Sequence, residues 1–339
     1  VTVSGTMNVS GVAGASPLHE LAASGNTERH FSLPADNTAT LYLSYLLLTG
    51  GKLSSMYTSH AVTSGGNVYM SGPNSALHVQ SCHFVGACSN SGFEQRTSSG
   101  CASHGGSILS WKTGAVISIA DSTFEGHKSK KGGGALYLFQ GTVATISETM
   151  FLSNTAGYMD DGNQYGGAIE IWANTHVTMR GQNVFQGNLA KASYGNSVYT
   201  EATSTLTFEA CPAGTYAPSI DDSSSYFLDE DFVGCPLACA EGEYSVAGAS
   251  SCDYTATTCP SSTYANATTR ACEACPEGKS NDGTGLTDVS KCLGAPSLLK
   301  VRVAGEDALS VQIGYPEDDG GANVTHYKMD FYDKQAYER

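Results

Sequence analysis

The sequence has few charged residues and no long apolar segment. Charged side chains make up 14% of the 339 residues, and no run of 18 apolar residues occurs. A membrane-spanning helix needs about 20 consecutive apolar residues, so we expect no membrane span within this chain. The sequence begins at Val1 with neither a methionine nor a signal-peptide pattern. We interpret it as a processed or excised piece of a longer polypeptide.

Common enzyme signatures and an excess of basic residues are missing as well. The sequence contains no P-loop, no G-x-S-x-G motif and no H-E-x-x-H motif. Residues 1–210 carry a net charge of −3 and residues 211–339 carry −12. The second part would repel a phosphate backbone, which argues against nucleic acid as a partner.

The residues that are abundant favour strands and tight turns. The chain has 39 glycines and is rich in Ser, Thr, Ala and Val. Glycine permits sharp corners and β-branched side chains fit a pleated surface, so we predict an all-β protein. Three glycosylation sequons occur, at Asn8, Asn266 and Asn323, and eight cysteines lie within residues 211–292. Together they indicate an extracellular, oxidising location.

A glycine-led motif recurs in the first 210 residues. It reads GGNVY from Gly65, GGSIL from Gly105, GGALY from Gly133, GGAIE from Gly166 and, degraded, GNSVY from Gly195. In the four complete copies a phenylalanine follows the first glycine by 19, 19, 18 and 19 residues. The distances from each phenylalanine to the next glycine are 21, 9, 15 and 10 residues. One part of each unit is therefore fixed in length and the other is free.

This asymmetry is typical of a parallel β-helix, in which strands of successive coils stack and insertions are confined to one corner. Matching residues should then form inward columns. We predict four columns: Val68–Ile108–Leu136–Ile169–Val198, Leu77–Ile117–Ala144–Val177–Leu206, Val79–Ile119–Ile146–Met179–Phe208 and Phe84–Phe124–Phe151–Phe185. Leu41, Leu43 and Leu48 indicate an earlier coil, which gives about six coils over residues 1–210.

Two local features of the repeat carry separate predictions. Met179 and Phe185 are separated by one residue more than their counterparts, which we interpret as a bulge. Asn154 and Asn188 each follow a phenylalanine by three residues. We expect them to turn the chain, either through left-handed geometry or through a side-chain bond to the backbone.

The pairing of GGAIEIW with VFQGN, and of GGALYLF with MFLSN, resembles a known type of repeat. It is similar to the right-handed parallel β-helix repeats of chlamydial polymorphic outer-membrane proteins and of large protist and algal surface proteins. The resemblance covers roughly residues 35–210. It implies a fold rather than an activity.

Beyond residue 210 the repeat changes to a cysteine-led motif. The motif begins at Cys211, Cys239, Cys259 and Cys275, and one further cysteine follows each copy: Cys235, Cys252, Cys272 and Cys292. Eight cysteines allow 105 connectivities, but this alternation favours sequential bridges, 211–235, 239–252, 259–272 and 275–292. Residues 211–292 resemble ephrin-receptor-like or tumour-necrosis-factor-receptor-like repeats. A zinc site is the alternative, because C-x-x-C and C-x-x-x-C spacings are both present.

Three cysteines remain, and the C-terminal residues form a third segment. Cys88 and Cys101 lie within the longest excursion, between Phe84 and Gly105, and are predicted to pair, whereas Cys82 is interpreted as a buried thiol. Residues 295–339 resemble the opening strands of a fibronectin type III domain, with Ile313 where that family usually has tryptophan. The segment covers about half of such a domain.

The arrangement of the acidic residues indicates whether this chain is an enzyme. Pectin-lyase-type β-helices often cleave acidic polysaccharides. This chemistry requires clustered carboxylates, as acid and base or as calcium ligands, and commonly an Arg or Lys that binds the uronate. The candidates Asp160, Asp161, Glu170 and Arg180 do not form a recurring set. We therefore expect a non-catalytic chain without metal or cofactor.

The leading hypothesis for function is a rod-like structural module of a cell-surface or filament protein, for example of flagellar hairs (mastigonemes). Its partners would be other protein subunits. The alternative is a carbohydrate-binding or polysaccharide-cleaving module that uses Trp172, Glu170 and Tyr165, with glycans as partners.

Overall fold

A computed structural model of the protein describes most of the chain. The described residues are 1–23, 29–36, 38–51, 65–86, 102–157, 165–191, 194–209, 211–217, 226–277, 279–280, 284–294, 299–305 and 308–314. Two compact units are formed. The first contains Val1–Pro212, Tyr216–Ala238 and Gly248–Ser250, and the second contains Ala213–Thr215, Cys239–Ala247 and Ser251–Arg339.

The first unit is a parallel β-helix with three long sheets and one short sheet. The central sheet contains β1 (Thr6–Ser10), β4 (Thr40–Ser44), β7 (Ala76–Gln80), β11 (Val116–Ala120), β15 (Val143–Ser147), β19 (His176–Arg180) and β23 (Thr205–Glu209). The phenylalanine sheet contains β2 (His19–Ala22), β5 (Leu46–Thr49), β8 (His83–Val85), β12 (Thr123–Glu125), β16 (Met150–Leu152), β20 (Val184–Gln186) and β26 (Phe232–Val233). The glycine sheet contains β3 (Phe31–Leu33), β6 (Val68–Met70), β10 (Ile108–Ser110), β14 (Leu136–Leu138), β18 (Ile169–Ile171), β22 (Val198–Thr200) and β25 (Tyr226–Leu228). The short sheet contains β9 (Ala102–His104), β13 (Lys128–Gly132), β17 (Thr155–Ala156) and β21 (Leu189–Ala190).

Each coil runs from the glycine sheet through the central sheet to the phenylalanine sheet. Five coils are complete, β3–β5, β6–β8, β10–β12, β14–β16 and β18–β20, and partial coils precede and follow them. The predicted parallel β-helix is confirmed.

The predicted columns are confirmed by the strand register. Val68 pairs with Ile108, Leu77 with Ile117, and the later coils continue each column in register. The phenylalanine rings are at most 1% exposed and stack with centroids 4.6, 5.2 and 4.8 Å apart. Burying each such ring contributes about 1.5–3 kcal/mol, so the interior of the coils is a continuous apolar core.

The glycine pairs make a corner that no side chain fits. The first glycine of each pair has positive φ, for example +61° at Gly133, where a Cβ would lie 2.1 Å from the Leu136 carbonyl oxygen. The second glycine touches the next coil, since a Cβ on Gly134 would lie 1.9 Å from the Gly167 oxygen. Substitution at the first position would strain the turn within its own coil, and substitution at the second would push neighbouring coils apart.

The opposite corner, between the central and phenylalanine sheets, turns through one residue of positive φ in each coil. This residue is Asp121 in one coil, Glu148 in the next and Gly181 in the next. The extra residue before Phe185 lies in this corner, between β19 and β20, and does not interrupt the pairing of either strand. The predicted bulge is therefore a longer corner.

An antiparallel segment closes the C-terminal end of the coils. Leu228 of β25 lies opposite Val198, and Phe232 of β26 lies opposite Phe185 with ring centroids 4.6 Å apart. The Asp229 carboxylate accepts the backbone N–H groups of Gly195 and Asn196, at 2.7 and 3.0 Å. Sequence reasoning assigned these residues to the cysteine-rich segment and did not suggest this role.

Short strands and disulfides form the remainder. The short elements are β24 (Thr215–Tyr216), β27 (Leu237–Ala238), β28 (Thr263–Asn266), β29 (Ala271–Ala274), β30 (Lys279–Ser280), β31 (Leu293–Gly294) and a 3-10 helix at Val289–Lys291. Among the described residues there are four disulfides, Cys211–Cys235, Cys239–Cys252, Cys259–Cys272 and Cys275–Cys292. Cys272 and Cys275 form the C-x-x-C spacing on which the alternative of a zinc site depended. Both are bonded in disulfides, to Cys259 and Cys292, so neither thiol is free to bind zinc. Cys82 is a free, buried thiol, and burial raises its pKa to about 11.

A hairpin is the last described part of the chain. Strands β32 (Leu299–Gly305) and β33 (Ala308–Ile313) pair antiparallel, with Val301 opposite Val311 and Val303 opposite Leu309. The rest of the segment that resembles fibronectin type III lies outside the described residues. No helix in the described parts of the chain is long and apolar enough to cross a membrane.

Candidate functional site

The outward side of the glycine sheet carries a buried column. Its members are the middle residues of successive strands, among them Tyr137, Glu170 and Tyr199, which are 7%, 5% and 4% exposed. They point away from the core, because Ile169 and Ile171 on either side of Glu170 point into it. A second layer of chain therefore covers this side of the sheet.

Aromatic side chains gather around Glu170. We define the Tyr–Trp cluster as Tyr165, Trp172, Tyr194 and Tyr199. The Tyr165 ring stacks on Tyr199 with centroids 4.2 Å apart and lies 6.3 Å from Trp172 and 5.7 Å from Tyr194. Tyr194 is 48% exposed, and Tyr165 and Trp172 are half-buried. The structure thus brings Trp172, Glu170 and Tyr165 together, as the alternative hypothesis requires.

Sequence reasoning missed two members of this cluster. Tyr199 occupies the position of Glu170 one coil later, so aligning the motif copies GGAIE and GNSVY residue by residue identifies it. Tyr194 pairs with Tyr165 through an isolated parallel bridge. It lies in the stretch of free length before Gly195, where the repeat gives no alignment.

Glu170 itself is enclosed. Its carboxyl lies against Gly132, where a Cβ would come within 1.4 Å of Oε2, and Oε2 has no hydrogen-bond partner. Burial raises the pKa of this carboxyl well above its usual range, because the charged form loses its hydration without gaining a partner. Glu170 therefore underlies the Tyr–Trp cluster and does not line a groove.

The other acidic and basic candidates do not join Glu170. Arg180 lies on the central sheet, where its Nε is 2.5 Å from Glu209 Oε2. Asp160 and Asp161 lie outside the described residues. In the described parts of the chain, no group of three or more His, Cys, Asp or Glu side chains is arranged to hold a metal ion.

The predicted modification sites are found in different settings. Asn8 is exposed on β1. Asn266 is half-buried; its Nδ2 donates to Glu273 Oε1 at 2.9 Å and its Oδ1 accepts the Thr268 N–H at 3.0 Å. Asn323 and the predicted pair Cys88 and Cys101 lie outside the described residues.

Comparisons with protein-family models, curated proteins and solved structures found no match. The chain is therefore described by its architecture, an all-β protein with long parallel sheets and a disulfide-rich C-terminal part.

The cluster has a defined chemical capacity. Exposed faces of Tyr and Trp stack on apolar or weakly polar rings, including the faces of sugars, and the phenol hydroxyl supplies a hydrogen bond. The Glu170 carboxyl beside them is buried, and burial raises its pKa. This set of described residues suits the binding of a ring or a sugar face.

Proposed function

We propose that this chain is a non-catalytic structural module of an extracellular assembly, such as a cell-surface fibre or flagellar hair. Four disulfides are consistent with an extracellular or secreted protein. The β-helix supplies a stiff core in which each coil is held by its neighbours. Such a core suits a protein that bears load or spaces other subunits.

The observation that carries the proposal is how the polar side chains are used. Inside the coils, His127 Nε2 donates to the Phe84 carbonyl at 3.2 Å, and Asn154 Nδ2 donates to the Phe124 carbonyl at 3.0 Å. On the surface, His83 pairs with Glu125 of the next coil at 3.0 Å. His, Asn and Glu side chains are common catalytic groups in enzymes. In this chain they bond neighbouring coils to each other, which favours a structural role.

The test is the state of the native protein. Immunogold electron microscopy with an antibody against the β-helix should label a fibre or sheath at a regular spacing. A chain found only as a dispersed monomer in the medium, with cleavage of uronate polymers in the same fraction, would contradict the proposal.

A second candidate function, glycan binding, is favoured by the Tyr–Trp cluster. We expect Trp172→Ala and Tyr194→Ala each to weaken any glycan binding by about tenfold, a typical loss for one stacking ring. Trp111→Ala is the matched control, because Trp111 stacks on Phe139 with centroids 4.6 Å apart on other coils. A glycan array without signal, or equal loss in all three variants, would count against this function.

A further inference from the structure

The outer face of the central sheet has an uncharged region. We define the neutral face as the twelve outward residues of β4, β7, β11 and β15: Thr40, Tyr42, Ser44, Ala76, His78, Gln80, Val116, Ser118, Ala120, Val143, Thr145 and Ser147. None is Lys, Arg, Asp or Glu, although residues 1–210 contain 12 acidic and 9 basic side chains. Charge returns only beyond β15, with Arg180 and Glu209.

The neutral face is regular and carries exposed apolar side chains. Tyr42, Val116 and Val143 are 42%, 44% and 48% exposed. Val116 pairs with Val143 in register, and the Tyr42 ring stacks on His78 with centroids 4.6 Å apart. The four strands pair without a register shift. Exposed apolar groups collected on one regular surface indicate a contact with another molecule.

We propose that the neutral face binds the neutral face of a second copy of this chain. The proposal rests on the assembly function proposed above and names the surface through which copies meet. Two chains of net charge −15 repel each other wherever carboxylates face one another. The neutral face allows close approach without that repulsion, and its apolar side chains gain from being covered.

The two rims of the face specify how the copies are oriented. The rim where the chain enters the central strands carries Lys112, with Asp36 two coils earlier, and the rim where it leaves carries Asp121 and Glu148; all four are exposed. Consider a twofold axis parallel to the direction in which the coils stack. It reverses the strand direction of the second copy, so the entering rim of each copy lies against the leaving rim of the other. Lys112 of each copy then lies beside Asp121 and Glu148 of the other. Such an isologous contact is self-complementary.

The size of the face predicts a weak contact. Four strands about 4.8 Å apart, with five residues of about 3.3 Å each, give a footprint of about 300 Å². Stable complexes bury about 800 Å² per partner. The association should therefore be reversible in solution and become effective where other contacts hold copies close together, as in a fibre. Asn8 lies on the next strand, in the column of Tyr42, so a glycan there would bound the face at β1.

Sedimentation equilibrium of the whole chain, from micromolar to millimolar concentration, tests the proposal. The Asn8→Gln background, present in all samples, prevents any glycosylation at Asn8. We expect a monomer–dimer equilibrium that Val143→Lys or Val116→Lys weakens by at least about tenfold, since each places an unpaired charge in the contact. Leu189→Lys is the matched control: Leu189 is 45% exposed on the short sheet, and the change in net charge is the same.

The rims provide a second readout. Lys112→Glu should weaken the dimer at low salt, and adding Asp121→Lys to it should restore association, with both effects reduced at high salt. A monomer at millimolar concentration, or equal effects of Val143→Lys and Leu189→Lys, would overturn the proposal. Failure of the charge swap to restore the dimer would overturn the twofold arrangement. The assembly function fails separately, if microscopy finds no fibre containing the chain.

Discussion

At the scale of single residues, buried amides hold neighbouring coils together. Asn154 is fully buried and makes bonds in both directions: Oδ1 accepts the His127 N–H, and Nδ2 donates to the Phe124 carbonyl and to Asn188 Oδ1, each at 3.0 Å. Asn188 repeats the pattern toward Phe151. The positive φ of this corner belongs to the preceding residue, Ser153 or Gly187. Of the two roles expected for these asparagines, the side-chain bond is the one the structure uses.

We expect Asn154→Ala to lower the free energy of unfolding by about 3–5 kcal/mol, because it leaves a buried N–H and a buried carbonyl without partners. Chemical denaturation measures this change. Thr207→Ala, at an exposed position of β23, is the control and should stay within about 0.5 kcal/mol of the wild type. An equal decrease in the free energy of unfolding of both variants would mean that the hydrogen bonds of the Asn154 amide do not stabilise the coils.

Glu170 carries a pH dependence of the opposite sign to most carboxyls. Its folded pKa is raised, so the unfolded chain releases the proton first as pH rises. Stability linked to this group is therefore complete below about pH 4.5 and is lost as pH rises toward the folded pKa. Glu170→Gln removes the ionisation and keeps the shape.

We expect the melting temperature of Glu170→Gln, relative to wild type, to increase as pH rises above about 4.5. Thermal denaturation in a series of buffers measures it. Glu230→Gln, which removes an exposed carboxylate, is the matched control. A difference that does not vary with pH would show that burial does not disfavour the charged form of Glu170.

At the scale of elements, the last coil depends on its antiparallel cover. Phe232 is 8% exposed and ends the phenylalanine column, while Asp231 Oδ1 accepts the Gly187 N–H at 2.8 Å. Without β25 and β26, the edges of β22 and β20 would be open to pairing with other chains.

We expect Phe232→Ala to destabilise the β-helix by about 3–4 kcal/mol, a usual cost for a buried aromatic ring, and to increase aggregation. Chemical denaturation with light scattering measures both effects. Val233→Ala, at the neighbouring 56% exposed residue, should change neither. Comparable aggregation of both variants would argue against a covering role for Phe232.

The elements differ in how far the sequence predicts them. The columns were predictable because the period of the coils repeats inward residues at fixed distances, and Phe84, Phe124, Phe151 and Phe185 mark each turn. The antiparallel cover around Phe232 could not be predicted, because it occurs once and does not belong to the repeat. The burial of Glu170 was missed for a different reason: alternation places it on the outward face, and only the second layer over the glycine sheet encloses it.

At the scale of the whole molecule, the two units differ in how much apolar core they contain. The first has a long apolar core, whereas the described core of the second contains few buried side chains, among them Tyr244, Ala265 and the Cys259–Cys272 disulfide. Small modules with little apolar burial depend on cross-links.

We expect Cys259→Ser combined with Cys272→Ser to destabilise the second unit by about 3 kcal/mol, from the chain entropy that a loop of this length regains. Hydrogen exchange followed by mass spectrometry should show loss of protection in β28 and β29. Cys82→Ser, which removes no bridge, is the control. Unchanged protection in the double variant would mean that hydrogen bonds around Glu273 suffice.

The corner between phenylalanine and glycine has a consequence for how such a chain changes over time. Between 9 and 21 residues are accommodated there, while the remainder of each turn keeps its length within one residue. Insertions and deletions in these excursions, outside the strands of the short sheet and the buried residues beside them, would leave the inward columns in register. The surface of the protein can therefore change while its core is kept.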